Sequence, residues 1–120
     1  MGLTEKETFV CFDCETTGLD TQTDQIIEIA IVKFTFQGWI ENKENLIDPG
    51  ISIPKETIEI HHITDEMVKG KPKIREVLPQ YLEIIGDHIA VGHAIGFDIA
   101  LLSNAAQKYG ISTDIEKDGL

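Results

Sequence analysis

Basic residues are scarce in this chain. Ten Lys and Arg stand against twenty-one Asp and Glu, a formal net charge of −11. That balance excludes a protein that grips nucleic acid through a broad basic surface, but it leaves room for an enzyme that meets only a strand end. The single basic cluster, Lys69, Lys71, Lys73 and Arg75, reads first as a solvated helix start and second as a phosphate contact. Long apolar runs are missing as well: none approaches the ~18 residues of a transmembrane helix, so no membrane partner is expected. The N-terminal stretch MGLTEKETF is polar and acidic, without a signal peptide's apolar segment, and Lys6 stands where N-myristoylation wants Ser or Thr. A cytoplasmic protein is expected. Cysteine is nearly absent. Cys11 and Cys14 are spaced C-x-x-C, but residues three apart on a strand point to opposite faces, and no second pair exists to complete a zinc site. Two small buried apolar residues is the better account. Linkers, internal repeats and low-complexity segments are also lacking, so the 120 residues are expected to form a single domain, 1–120.

What is present has a clear order. TFVCFD, residues 8 to 13, is β-branched and aromatic, and predicts a first strand. IIEIAIVKF, 26 to 34, is apolar on both alternating faces except at Glu28 and Lys33, which predicts a central strand covered on both sides. Gly38 turns the chain into a third strand, roughly 39 to 47, giving a meander. Pro54 suits the first turn of a short helix, and Thr64 the N-cap of another that stops at Gly70. Ile74, Val77, Leu78, Tyr81, Leu82 and Ile85 mark an amphipathic helix, with Pro79 expected to kink it. HIAVG, 88 to 92, predicts a short strand, and a last helix spans about 94 to 109. The class is α/β: a mixed sheet flanked by helices, with strands one and four adjacent if they pair in parallel.

Within the first strand lies FDCETTGLD. Asp13 and Glu15, two positions apart, share a strand face, so both carboxylates are able to serve one ion or bridge two. Acid-x-acid spacing alone is not specific, since Glu5/Glu7 and Asp114/Glu116 repeat it. The apolar strand before the pair, expected to bring it to a buried edge, and the Thr16-Thr17-Gly18 turn after it set this pair apart. A calcium loop from Asp13 to Asp24 is a competing reading, weakened by flanking strands and by Asp where a bidentate Glu belongs. Farther on, VGHAIGFDIALL places His93 at a strand end and Asp98 at a helix start, where the dipole favours a carboxylate. Three converging acids suit Mg²⁺ or Mn²⁺.

FDCETTGL resembles the first motif of the DEDD-type 3′–5′ exonucleases, the group that contains the proofreading epsilon subunit of bacterial DNA polymerase III. HAIGFDIALL is similar to their second motif, and IIEIAIVKF and IHHITDEM are similar to their second strand and His-Gly-Ile-Thr segment. The resemblance implies a ribonuclease H-like fold and two divalent ions, Mg²⁺ or Mn²⁺, held by Asp13, Glu15 and Asp98 as the catalytic set. It implies that Thr16, Thr17, Gly18, Leu19, His61 and Phe97 border the terminal nucleotide. The implied partners are the 3′ end of a single-stranded nucleic acid and a DNA polymerase subunit, with DNA proofreading or repair favoured over RNA trimming.

Two residues depart from the family pattern: Ala94 stands where Asn is usual, and His62 where Gly is usual. The third motif is missing. The His-containing branch supplies a general base and a fourth carboxylate from a final helix, yet no His follows Asp98 here, and no Tyr-x-x-x-Asp marks the sister branch. A chain truncated before that motif is expected, without the last strand and helix, and weak or inactive alone; self-association through the incomplete sheet flank is a further expectation. A non-catalytic remnant is the alternative.

Overall fold

The computed structural model describes residues 7–111. The tail ISTDIEKDGL, 111 to 120, carries only a weak strand signal in sequence and falls almost wholly outside them, as do Glu5 and the Asp114/Glu116 pair. Strands β1 (Phe9–Thr16), β2 (Ile26–Thr35) and β3 (Gly38–Leu46) form the expected antiparallel meander. Helices α1 (Lys55–His61), α2 (Asp65–Val68) and α3 (Ile74–Ile85) follow, then β4 (Ile89–Val91) and α4 (Ile95–Lys108). The sheet order is β3-β2-β1-β4, with β4 parallel to β1 through Phe9↔Ile89, Val10↔Ala90 and Cys11↔Val91. A parallel pair needs a long crossover, and α1 to α3 supply it. Among the described residues no helix is long and apolar enough to cross a membrane.

Alternation along β1 divides the sheet into a covered and an open face. Val10, Phe12 and Cys14 point into the main core, where they meet Ile29 and Ile31 of β2 and the apolar faces of α3 and α4. Tyr81, fully buried on α3, donates its hydroxyl to Asn45 Oδ1 at 2.7 Å and so pins α3 to β3. Burial first, then the charge of Glu44, pushes the Tyr81 phenol up to about 12, so it remains a donor. The opposite face carries Cys11, Asp13 and Glu15. Helices cover only its upper end, where Ile27 meets Ile53, Ile63 and Val68 beneath α1 and α2, while at the other end Phe9 is buried against Phe34 and Phe36.

This arrangement corrects several expectations. β2 is central in the sheet, but it is not buried on both sides: Ala30, Val32 and Phe34 are half-exposed, because α1 and α2 are too short to reach them. β1 continues to Thr16 rather than ending at Asp13, since Glu15 and Thr16 still pair with Glu28 and Ile26 across a bulge. Both acids therefore stand inside regular strand. The second short helix stops at Val68, before Gly70, and α3 runs unbroken through an exposed Pro79. Thr64 caps as expected, its hydroxyl accepting the Met67 N–H at 3.3 Å.

Candidate active site

Asp13 and Glu15 lie on the open face of β1 with the Cys14 side chain directed the other way, into the core. Asp13 is exposed and Glu15 half-buried, so the pair is less enclosed than its apolar strand implied. Asp98 is the buried member. It enters from the first turn of α4, is 2% exposed, and its Oδ2 is buried without a hydrogen-bond partner. Burial pushes the Asp98 carboxyl up to about 7; the Asp13 charge adds to the rise, the Cys14 amide opposes it, and Glu15 adds a little more. The three acids of the two motifs thus feel one another through β1 and α4. The same acids, after burial, hold the Cys14 thiol well above its ordinary range.

Glu28 belongs to this neighbourhood. It sits directly across from Glu15 in the β1–β2 register, on the same face. Burial raises its pKa, as do Glu15, Glu44 and Asp13, while His61 opposes them. An acid in an apolar strand would be either paired or near a metal site; Glu28 borders the other carboxylates, and among the described residues it has no ion-pair partner. His61 accepts the Ile63 N–H on Nδ1 at 3.1 Å, so Nε2 bears the proton of the neutral ring; that atom is buried and unpartnered. His61, Glu28, Glu44, Leu46, Ile63 and Met67 line a groove of about 540 Å³ at the upper end of the open face.

The turn after β1 is more constrained than its sequence implied. The Thr16 hydroxyl donates to the Gly18 carbonyl, and the Thr17 hydroxyl donates to Asp24 Oδ1 at 2.9 Å while accepting the Gln25 N–H at 2.9 Å. Both threonines are buried, and the Thr17 hydroxyl is committed within the loop. Asp24 Oδ2 accepts the Asp20 N–H at 2.8 Å, so both of its oxygens are used by the chain itself. With strands on both sides, this removes the calcium-loop reading. Leu19 is 88% exposed, whereas Phe97 is half-buried and packs on the main core. His93 is exposed. The Cys11 thiol lies toward Gly92 and away from Cys14, as strand alternation requires.

The family model described as exonuclease matches residues 10–116. This chain belongs to that exonuclease family. It is 37% identical over 102 residues to the DNA polymerase III subunit epsilon of Aquifex aeolicus, a match covering 85% of this chain and 50% of that protein. It is 43% identical over 107 residues to the PolC-type DNA polymerase III of Listeria innocua, covering 89% of this chain and 7% of that one. The chain therefore spans half the length of the epsilon relative and a small part of the PolC-type proteins. Among solved structures it resembles exonuclease X in complex with 5′ overhanging duplex DNA, at 33% identity and a TM-score of 0.65 over 78% of this chain and 52% of that one. Escherichia coli exonuclease I with an oligonucleotide superimposes with a TM-score of 0.80 at 16% identity, over 92% of this chain and 26% of that one, and so agrees in fold. The four-stranded mixed sheet flanked by helices is the ribonuclease H-like exonuclease fold.

Both departures from the exonuclease pattern fall at unusual backbone positions. His62, the C-cap of α1, has φ 62°, and Ala94, the N-cap of α4, has φ 55°; among the described residues they are the only non-glycine positions with positive φ. Left-handed backbone favours Gly or Asn, the residues usual there in the family. The structure thus gives a backbone reason for both substitutions to matter. Sequence reasoning placed Asp24 only at the end of a calcium loop and missed it as a residue that ties the turn, although an Asp six residues after the Gly of a Thr-Thr-Gly turn, just before an apolar strand, was a usable signal.

Proposed function

We propose that this domain is the metal-dependent catalytic unit of a 3′–5′ exonuclease that hydrolyses the last phosphodiester of a DNA strand, releasing a nucleoside monophosphate, in proofreading or repair. The observation that carries the reading is the buried, unpartnered Oδ2 of Asp98 beside Asp13, with Glu15 next in line. A buried carboxylate oxygen without a donor is costly, and a cation relieves that cost. The donor set is all hard oxygen, which fits Mg²⁺ or Mn²⁺. Among the described residues no three such side chains are already gathered into a closed cage, so exposed Asp13 would have to turn toward Asp98 on loading.

Asp13, Glu15 and Asp98 would hold the ions. Bound there, divalent cations supply charge neutralisation at the phosphodiester and a more acidic water. The residues of the chain do the rest. The Thr16–Leu19 turn offers backbone groups and the exposed Leu19 side chain to the terminal nucleotide, and His61 lines the groove beside Glu28 where that nucleotide would lie. Phe97 supports Asp98 from the core. No His follows Asp98 in these 120 residues, so a positioned general base has no candidate in the third-motif position. Such a base contributes roughly 10²–10⁴-fold, and weak or absent turnover is expected of this chain alone.

The test uses 3′-labelled single-stranded DNA and RNA with Mg²⁺ or Mn²⁺. The 120-residue chain is compared with a version continued past Leu120 to include a His and an Asp five residues later, each with an Asp13→Ala counterpart. Mononucleotide release by the longer version, lost in Asp13→Ala, is expected, with little from this chain. Release that survives Asp13→Ala would sink the metal-site reading, and faster release from RNA would move the substrate class to RNA trimming.

A further inference from the structure

We infer that Asp24 is a positioning residue: its carboxylate clasps the β1–β2 loop and fixes the Thr16–Leu19 turn in the conformation that receives the terminal nucleotide. The inference rests on the functional reading above, but its geometry is independent of any metal.

Two layers of bonds close the loop. At its base the Thr17 N–H donates to the Gln25 carbonyl at 2.9 Å, and the Gln25 N–H returns to the Thr17 hydroxyl at 2.9 Å. Across its middle Asp24 receives the Thr17 hydroxyl at 2.9 Å on one oxygen and the Asp20 N–H at 2.8 Å on the other, while its own N–H donates to the Asp20 carbonyl at 2.8 Å. Apolar packing does little here, since Leu19 at the tip is exposed and residues 20 to 25 are polar. Hydrogen bonds hold the turn, and Asp24 makes the three across its middle, two of them to its carboxylate.

Gly18 is shaped by the same contact. It is not among the glycines with positive φ, so backbone freedom is not why glycine stands there. A Cβ at Gly18 would lie 2.5 Å from Asp24 Oδ2 and 2.8 Å from Oδ1. The glycine of the Thr-Thr-Gly turn makes room for the clasp. A third tie runs to the helix that carries Asp98: Asn104 Nδ2 donates to the Thr21 carbonyl at 3.0 Å. Through Asp24 and Asn104 the turn is thus referenced both to β1 and to α4, the two elements that bear the carboxylates.

The test combines amide hydrogen exchange with calorimetric titration of thymidine 5′-monophosphate in Mg²⁺, both well below the unfolding temperature of every variant. Asp24→Ala should speed exchange at Thr17, Asp20 and Gln25 about tenfold or more, leaving Ile29 in β2 unchanged. It should weaken nucleotide affinity about tenfold while Mg²⁺ affinity measured alone stays the same. Asp24→Asn retains one acceptor for the Thr17 hydroxyl and should restore part of the loss. Gly18→Ala should reproduce the loss in the wild-type background and add little to Asp24→Ala, because the clashing carboxylate is then gone. Wild-type nucleotide binding that Asp24→Ala leaves intact would overturn the positioning role alone. A wild-type chain that binds no nucleotide would overturn the functional reading and the role that rests on it.

Discussion

Burial, with the charge of Asp13 outweighing the Cys14 amide, raises the Asp98 pKa to about 7. A group whose folded pKa exceeds its unfolded value stabilises the fold fully only below the unfolded value, and that contribution is lost as pH rises through the folded one. For Asp98 the loss falls between about pH 4 and pH 7, and by pH 8 amounts to a few kcal/mol. In EDTA, Asp98→Asn should therefore unfold at a higher temperature than wild type at pH 8, by more than it does at pH 4.5. An equal difference at the two pH values would contradict a buried, metal-free carboxylate. Cys14 makes a second test at this scale. Its thiol is buried and held well above the usual range, whereas Cys11 is half-exposed on the open face. Iodoacetamide should label Cys11 in the native protein and reach Cys14 only on unfolding, which mass mapping would decide.

Among the elements, α1, α3 and α4 each carry one residue at odds with helical geometry. Left-handed backbone costs a residue with a Cβ about 1–2 kcal/mol, and His62 and Ala94 both bear that cost at helix ends. Asn tolerates this backbone and can cap the first turn of α4, where no side-chain cap exists now. Ala94→Asn and His62→Gly should each stabilise the domain by about 0.5–1 kcal/mol, the second less because glycine loosens the unfolded chain. Chemical denaturation measures both, and a loss of stability in either would refute the strain. Pro79 lies on the exposed side of an otherwise regular α3, where it removes a backbone donor. Pro79→Ala should add about 1–3 kcal/mol.

For the molecule as a whole, the uneven spread of charge matters more than its sum. Asp13, Glu15, Glu28 and Glu44 influence one another around the open face, and Glu28 is raised by three of them. Millimolar Mg²⁺ should raise the unfolding temperature by several degrees, beyond NaCl of equal ionic strength, because binding to the native state alone adds stability by mass action. The gain should vanish in Asp13→Ala/Glu15→Ala. A single-stranded oligonucleotide should bind in Mg²⁺ and fail to bind in EDTA, since a net charge of −11 opposes holding a phosphate backbone without cations.

Local pattern by itself determined much of this protein. Period-two alternation in β1 put Asp13 and Glu15 on one face, the i, i+3, i+4 spacing of Ile74 to Ile85 marked α3, and the combination of FDCETTGL with HAIGFDIALL carried the family resemblance. These features depend only on strand and helix geometry, which a few neighbouring residues dictate. Tertiary structure decided what depends on distant partners. It left one face of β2 uncovered although its residues are apolar on both, because coverage is set by the reach of α1 and α2. It buried Asp98 and left Asp13 in solvent, since α4 packs on β1 only from the core side. It also set Asp24 against Gly18, so the glycine that looked like a turn signal in FDCETTGLD proved to be the space for a carboxylate.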